Sequence, residues 1–96
     1  MKAAHVVAPR QIEMFEADEP KIDDFPKGSI KVKTHMTALC GSDSPRFVLT
    51  YPPEQYPLNI GISIHECIGT VVESTSDRLK VGDFVQSRPT AGIGGL

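Results

Sequence analysis

Two short segments of the chain carry side chains that are typical of metal and acid–base chemistry. The first contains Cys40, Ser42 and Asp43, and the second contains His65 and Glu66, 25 residues after the cysteine. A histidine beside a glutamate at the start of an apolar, β-branched run is costly to bury unless something binds both side chains. If the segments meet in space, a thiolate and an imidazole provide two of the three protein ligands that a catalytic Zn²⁺ uses.

The other polar residues of these segments have roles in the same interpretation. A metal-ligating histidine usually donates its second ring N–H to a carboxylate, which Asp43 can supply. Ser42 offers a neutral hydroxyl that can pass on the proton of a bound alcohol, and the cation neutralises Glu66. Gly41 and Gly69 are expected to allow a close approach of backbones.

A purely structural interpretation of the same residues stays open. A single cysteine and a single histidine, far apart in the sequence, are more often core residues than metal ligands. Cys40 and Cys67 would then be small buried apolar side chains, and His65 would be a hydrogen-bonded core histidine. Ser42 and Asp43 would cap a helix.

Composition and charge restrict the class of protein. The chain has 96 residues, which is enough for one domain with a modest core. Its formal charge of -2 and the absence of a basic cluster argue against a nucleic-acid partner. No apolar run has the length of a membrane span, and the start of the chain does not resemble a signal peptide. We therefore expect a cytoplasmic protein with no membrane partner and with reduced cysteines.

The hydrophobic pattern predicts short strands that are separated by turns containing Gly and Pro. The predicted strands cover residues 2–7, 11–16, 29–37, part of 60–74 and 84–87, and the first two form a hairpin. One helical turn is expected over residues 44–48, because Pro45 suits a first helical position. This pattern is typical of an all-β protein, either a small barrel or a sandwich.

Residues 29–37 have the clearest strand pattern. Ile30, Val32, Thr34 and Met36 alternate with polar residues, so we expect them on one buried face. His35 falls on the opposite, solvated face, which indicates a surface histidine rather than a ligand.

Four motifs in order resemble the N-terminal half of the zinc-dependent medium-chain alcohol and polyol dehydrogenases. They are the start at residues 1–3, the Cys-Gly-Ser-Asp segment at 40–43, the stretch from Pro57 to Gly69, and Val-Gly-Asp-Phe-Val at 81–85. The resemblance covers nearly the whole chain. It implies that residues 1–96 form a mainly β, GroES-like catalytic domain, a partly open barrel with one or two short helical turns.

The resemblance also implies a reaction and roles for single residues. The reaction is NAD(P)-dependent oxidation of a small alcohol or polyol, or its reverse, with zinc as Lewis acid and nicotinamide as hydride acceptor. Cys40 and His65 become zinc ligands, and Glu66 becomes a close or exchanging ligand. Ser42 begins the proton relay, and Asp43 is the partner of His65.

The chain departs from the family pattern at three positions. Ile64 stands where the signature has Gly before the histidine, so we expect a less free backbone there and a different placement of His65. Thr75 replaces a Gly or Ala, and Pro45 replaces a frequent relay histidine. The third zinc ligand and the nucleotide-binding domain are expected beyond Leu96, and the glycines of residues 89–96 form no dinucleotide fingerprint, so no cofactor-binding residue is assigned.

The sequence therefore predicts the catalytic-domain fragment of a dehydrogenase, inactive alone, with weak zinc binding or none. Two alternatives stay open. The chain is either a stand-alone GroES-like binding or assembly module with vestigial zinc residues, or a zinc-free reductase, against which the pair Cys40 and His65 argues. We also expect self-association through apolar surface at Phe84, Val85 and the tail.

Overall fold

The computed structural model describes residues 1–59 and 64–87, and this part of the chain is mainly β. Its strands are β1 (Lys2–Ala8), β2 (Gln11–Glu16), β3 (Ile30–Ala38), β4 (Glu66–Ser74) and β5 (Phe84–Gln86). The helix α1 spans Asp43–Val48, and short 3-10 turns lie at Ile22–Asp24 and Pro53–Gln55. The predicted class, with its predicted strands and its helical turn, is confirmed. No helix in these ranges is long and apolar enough to cross a membrane.

The described strands form two antiparallel sheets. β1 and β2 make the predicted hairpin, and the other three strands form a sheet in the order β3, β4, β5. The turn of the hairpin contains Arg10 with a positive φ of 61°. Within residues 1–59 and 64–87 the two sheets do not close on each other, which agrees with a partly open barrel. The predicted strand residues 60–63 and the tail from residue 88 onwards lie outside the described residues.

The side chains of β3 do not follow the strict alternation that the sequence predicts. The register of β3 against β4 shifts between Lys31 and Val32 and again between Thr34 and Met36. The first shift places an extra residue, Val72, in β4, and the second places an extra residue, His35, in β3. The second shift changes which face the following β3 side chains occupy, because side chains alternate along a strand. Met36, expected on the buried face, is therefore 66% exposed. His35 is exposed as expected, and its Nε2 lies 2.7 Å from Oγ1 of Thr70.

The buried apolar side chains of the described residues link the two sheets to the segment between them. They are Val6 on β1, Leu58 before β4 and Val71 on β4. The N–H of Leu58 donates to the carbonyl of Val6 at 2.9 Å, and the N–H of Arg10 donates to the carbonyl of Phe47 in α1 at 2.7 Å. The hairpin is thus fastened to α1 and to the segment that follows it.

The two glycines expected at close backbone approaches behave differently. A Cβ on Gly69 would meet Cγ1 of Val32 at 2.6 Å and the carbonyl oxygen of Lys33 closer still. Only glycine fits there, because a methyl group would push β3 away from β4. Around Gly41 nothing lies within 4 Å of such a Cβ, so the expectation of a close approach there is wrong.

Candidate metal centre

The pairing of β3 with β4 brings the two chemically interesting segments together. Ala38 at the end of β3 pairs with Glu66 at the start of β4. In an antiparallel pair the residues that follow one strand lie beside those that precede the other. Cys40 and His65 occupy these two positions, so their meeting follows from the strand register.

Three side chains form the candidate centre: Cys40, Asp43 and His65. The Sγ atom of Cys40 lies 3.8 Å from Nε2 of His65. One possible ligand atom from each of the three residues lies within 4.8 Å of the other two. Cys40 and His65 are half-buried, whereas Asp43 is only 7% exposed. The structure thus brings together the two residues that the sequence predicts as zinc ligands.

Both carboxylate oxygens of Asp43 accept hydrogen bonds from the backbone of the two segments. Oδ2 accepts from the N–H of Cys40 at 2.8 Å, and Oδ1 accepts from the N–H of Ile64 at 2.7 Å. The first bond reaches back three residues, as the acidic side chain of a capping box does. One buried side chain therefore fixes the backbone at Cys40 and one residue before His65. The expected bond between Asp43 and the ring N–H of His65 stays a prediction.

The environment of Asp43 favours its charged form. Burial by itself raises the pKa of this carboxyl, because desolvation penalises the charge. The N–H groups of Cys40 and Ile64 and the nearby His65 act in the opposite direction, and together they hold the pKa of Asp43 below its ordinary value of 3.8. The centre therefore contains a carboxylate at neutral pH, which is complementary to a cation.

The backbone at Ile64 has a conformation that normally belongs to glycine. Its φ is 55°, in the left-handed region, where a β-branched residue is an outlier. For an L-residue this conformation costs roughly 1–2 kcal/mol. The resemblance places a glycine here, and the chain keeps a left-handed backbone in spite of its isoleucine. Strained residues persist where their surroundings over-determine them, and the bond from Asp43 is one such restraint.

Ser42 lies next to the sulfur atom of the centre. Its Oγ is 2.8 Å from Sγ of Cys40, and the residue is exposed. Ser42 occupies the N-cap position of α1, but its side chain makes no capping hydrogen bond. Ser42 is therefore the helix cap by position, without the side-chain hydrogen bond that usually accompanies that role. Its role in a proton relay stays a prediction.

Glu66 lies beside the centre but outside the cluster. It is half-buried and lines a shallow depression over the sheet. The other lining residues are Met36, Thr37, Ala38, Cys67, Ile68 and Gln86. Among residues 1–59 and 64–87, the group that can hold a metal does not include Glu66. Its predicted role as a close or exchanging ligand stays a prediction.

The two cysteines have different surroundings. Both are half-buried free thiols, so neither is the fully buried apolar side chain of the structural interpretation. Sγ of Cys40 faces Ser42 and His65. Sγ of Cys67 donates to Oγ of Ser87 at 3.3 Å. Cys67 follows His65 in the sequence, whereas Cys40 precedes it.

Ser87 is the site residue that the sequence did not reveal. Its hydroxyl donates to the carbonyl oxygen of His65 at 2.8 Å. A serine at the end of a short predicted strand carries no motif, and only the pairing of β4 with β5 places it beside His65.

The donor set fits Zn²⁺. Thiolate sulfur and imidazole nitrogen are the ligands that zinc prefers in proteins. A tetrahedral zinc with ordinary bond lengths separates these two atoms by about 3.6 Å, close to the 3.8 Å between Cys40 and His65. Asp43 adds negative charge nearby. Because both of its carboxylate oxygens already accept hydrogen bonds from backbone N–H groups, we interpret Asp43 as a residue that holds the centre in place and not as a metal ligand.

Comparison with known proteins gives one match. The model of a family described as the alcohol dehydrogenase GroES-like domain matches residues 26–94. No curated protein and no solved structure matches the chain. The matched range contains the whole three-stranded sheet and all three residues of the candidate centre, and it begins after the β1–β2 hairpin.

Proposed function

The chain belongs to the family of alcohol dehydrogenase GroES-like domains, and from this premise we propose that it is the zinc-binding part of the catalytic machinery of an alcohol or polyol dehydrogenase. The observation that carries the proposal is the 3.8 Å separation of Sγ of Cys40 and Nε2 of His65. These atoms come from segments 25 residues apart, and one buried carboxylate fastens both segments.

Each residue of the centre has a distinct part in the proposed function. Cys40 and His65 hold the metal, and Asp43 keeps their backbones in register. Ser42 Oγ, exposed beside the sulfur, accepts the proton of the alcohol and passes it towards solvent. When bound, Zn²⁺ supplies Lewis-acid chemistry at the substrate oxygen and NAD(P) supplies a hydride acceptor.

We propose that the chain alone does not oxidise alcohols. All strands of residues 1–59 and 64–87 pair antiparallel, whereas dinucleotides bind at the carboxyl ends of parallel strands in doubly wound sheets. Reduction of NAD⁺ or NADP⁺ by the purified chain with a panel of alcohols and polyols would contradict this part of the proposal.

A titration with Zn²⁺ tests the metal centre directly. We expect the protein to bind Zn²⁺ weakly, and we expect Cys40→Ser to abolish this binding. Cys67→Ser is the matched control, because it removes the other half-buried thiol outside the cluster. Absence of Zn²⁺ binding by the unaltered chain in this titration, or an equal loss of affinity in both variants, would overturn the proposed metal centre.

One observation favours the second candidate function, a GroES-like binding or assembly module. Large apolar side chains on the three-stranded sheet and its turns are exposed, among them Phe84 at 67%, Val81 at 66% and Met36 at 66%. Exposed apolar surface of this kind promotes association between chains. Analytical ultracentrifugation separates the functions: a defined ring-sized oligomer without bound zinc supports assembly, and a zinc-binding species that is not a ring supports the dehydrogenase.

A further inference from the structure

The hydroxyl of Ser87 forms hydrogen bonds with Cys67 in β4 and with His65, the residue that precedes β4. It donates to the carbonyl oxygen of His65 at 2.8 Å, and it accepts from the N–H of Cys67 at 3.0 Å and from Sγ of Cys67 at 3.3 Å. A serine hydroxyl has one donor and two acceptor positions, so its capacity is used completely. The main-chain N–H of Ser87 also donates to the carbonyl of Cys67 at 2.8 Å.

These bonds carry the sheet beyond its last strand pair. β4 and β5 pair from Thr70 with Phe84 to Ile68 with Gln86. Ser87 adds backbone and side-chain bonds at Cys67 and reaches His65, which precedes the first residue of β4. Ser87 therefore adds a second set of hydrogen bonds to the start of β4, which β3 already pairs on its other side at Cys67 and Glu66.

His65 is therefore held from two directions. On one side Asp43 accepts the N–H of Ile64 at 2.7 Å, and on the other side Ser87 donates to the carbonyl of His65. Between these two anchors lies the left-handed backbone of Ile64, with φ of 55°. A conformation that is unfavourable for isoleucine relaxes when one of its restraints is removed.

We infer that Ser87 is a positioning residue, which holds the backbone of His65 so that the imidazole faces the sulfur of Cys40. This inference rests on the proposed function, because it assigns Ser87 to the proposed metal centre. Removal of the hydroxyl lets the Ile64–His65 backbone turn, and Nε2 then leaves its place 3.8 Å from Sγ. Partners that orient a metal ligand typically change metal affinity by about 10- to 100-fold.

The test compares three variants of the full chain in a titration with Co²⁺, whose thiolate complex absorbs in the near ultraviolet. Ser87→Ala is expected to weaken Co²⁺ binding about 10-fold or more. Ser87→Thr keeps the hydroxyl and is expected to restore most of the affinity. Ser74→Ala is the control, because Ser74 Oγ makes comparable bonds at the other end of β4, with Leu79 and Ser76. It is expected to lower stability and to leave Co²⁺ affinity unchanged.

A readout without metal separates this inference from the proposed function. In the metal-free chain, proton NMR cross-peaks between the ring of His65 and the β-protons of Cys40 report their proximity. We expect Ser87→Ala to lose these cross-peaks and Ser74→Ala to keep them. Their persistence in Ser87→Ala, or equal losses in both variants, would overturn the positioning role. If the unaltered chain binds neither Co²⁺ nor Zn²⁺, the proposed function fails, and the NMR comparison still decides the role of Ser87.

Discussion

The two ends of β4 are both held by side chains that hydrogen-bond to backbone, yet they are built differently. At the Ser74 end, Thr75 Oγ1 accepts from the N–H groups of Gly28 and Ser29, each at 3.1 Å, and donates to the carbonyl of Ser29 at 3.2 Å. At the His65 end, the buried carboxylate of Asp43 and the hydroxyl of Ser87 hold the backbone. One end uses neutral groups near the surface, and the other uses a buried charge.

The backbone conformations differ in the same way. Near the Ser74 end, positive φ values of 96° and 97° belong to Gly28 and Gly82, which adopt them without strain. At the His65 end, the positive φ belongs to Ile64. Of the two ends of β4, only the one where Cys40 and His65 meet thus combines a buried carboxylate with a strained residue. Arg10, the other non-glycine residue with a positive φ among the described residues, lies in the β1–β2 turn. Backbone strain beside a side-chain cluster is typical of functional regions.

The largest expected effect is that of Asp43→Ala. Removal of the carboxylate leaves the N–H groups of Cys40 and Ile64 without an acceptor, and bonds to a charged group contribute about 1.5–3 kcal/mol each. We expect the free energy of unfolding in urea to fall by about 3 kcal/mol. Asp83→Ala is the control, since Asp83 accepts a single N–H, from Lys80 at 2.9 Å. Equal losses in the two variants would show that the ends of β4 do not differ.

The next effect is that of Thr75→Ala, which removes three hydrogen bonds between the residue after β4 and the two residues before β3. The family resemblance allows Gly or Ala at this position, but the hydroxyl here links two strands. We expect unfolding free energy to fall by about 1–2 kcal/mol, with Thr75→Ser restoring most of it. The affinity for Zn²⁺, measured by titration, should stay unchanged. A lower affinity would mean that the Ser74 end of β4 also contributes to the candidate centre.

A smaller pair of effects with opposite signs is expected at the positive φ positions. Ile64→Gly relieves the left-handed strain, and the side chain that it removes is 40% exposed. Gly82→Ala introduces strain at φ of 97°. We expect thermal unfolding to show stabilisation of about 1 kcal/mol in the first variant and destabilisation of about 1 kcal/mol in the second. Destabilisation by Ile64→Gly would mean that the contacts of the isoleucine side chain stabilise the fold by more than its backbone strain destabilises it.

The smallest effect concerns the ion pairs of Lys31 near the Ser74 end. Its ammonium lies 2.6 Å from Glu19 and 3.0 Å from Glu73. The hydrogen bond and the charge of Lys31 hold the pKa of Glu19 below its ordinary value of 4.5. The stabilisation from this pair is therefore complete above that value and is lost as the pH falls through the lower pKa of the folded state.

Lys31→Gln should return the pKa of Glu19 towards its ordinary range, as an NMR titration of the Glu19 carboxyl carbon would show. High salt should produce part of the same change in the unaltered chain, because exposed pairs are screened. An unchanged titration curve in the variant would mean that Lys31 does not lower the pKa of Glu19.

Local patterns predicted the strands and the helical turn well. The alternation over residues 29–37 corresponds to β3 at Ile30–Ala38, and the turn expected over 44–48 corresponds to α1 at Asp43–Val48. These elements depend on neighbouring residues, which a sequence pattern records directly. The exposure of Met36 was not predictable in this way, because irregular pairing with β4 decides it.

The candidate centre was predictable in part. Residue types and their order identified Cys40 and His65 as a pair, and the structure brings them together. The two backbone bonds of Asp43 and the contact of Ser87 with His65 depend on segments that are distant in sequence. Glu66, which is adjacent to His65 in the sequence, lies outside the cluster of Cys40, Asp43 and His65 in the described residues, and its role as a ligand stays a prediction.

Asp43 accepts two hydrogen bonds from separate segments, and this has a thermodynamic consequence. Because one carboxylate joins the backbones at Cys40 and Ile64, the cluster exists only when the chain is folded. Any cation that binds the cluster therefore shifts the folding equilibrium by mass action, by about 2.7 kcal/mol at a free concentration one hundred times its dissociation constant. The melting temperature of the chain then measures how much of the cluster is occupied by metal. A thermal unfolding curve can therefore detect binding of an ion that has no absorption spectrum of its own.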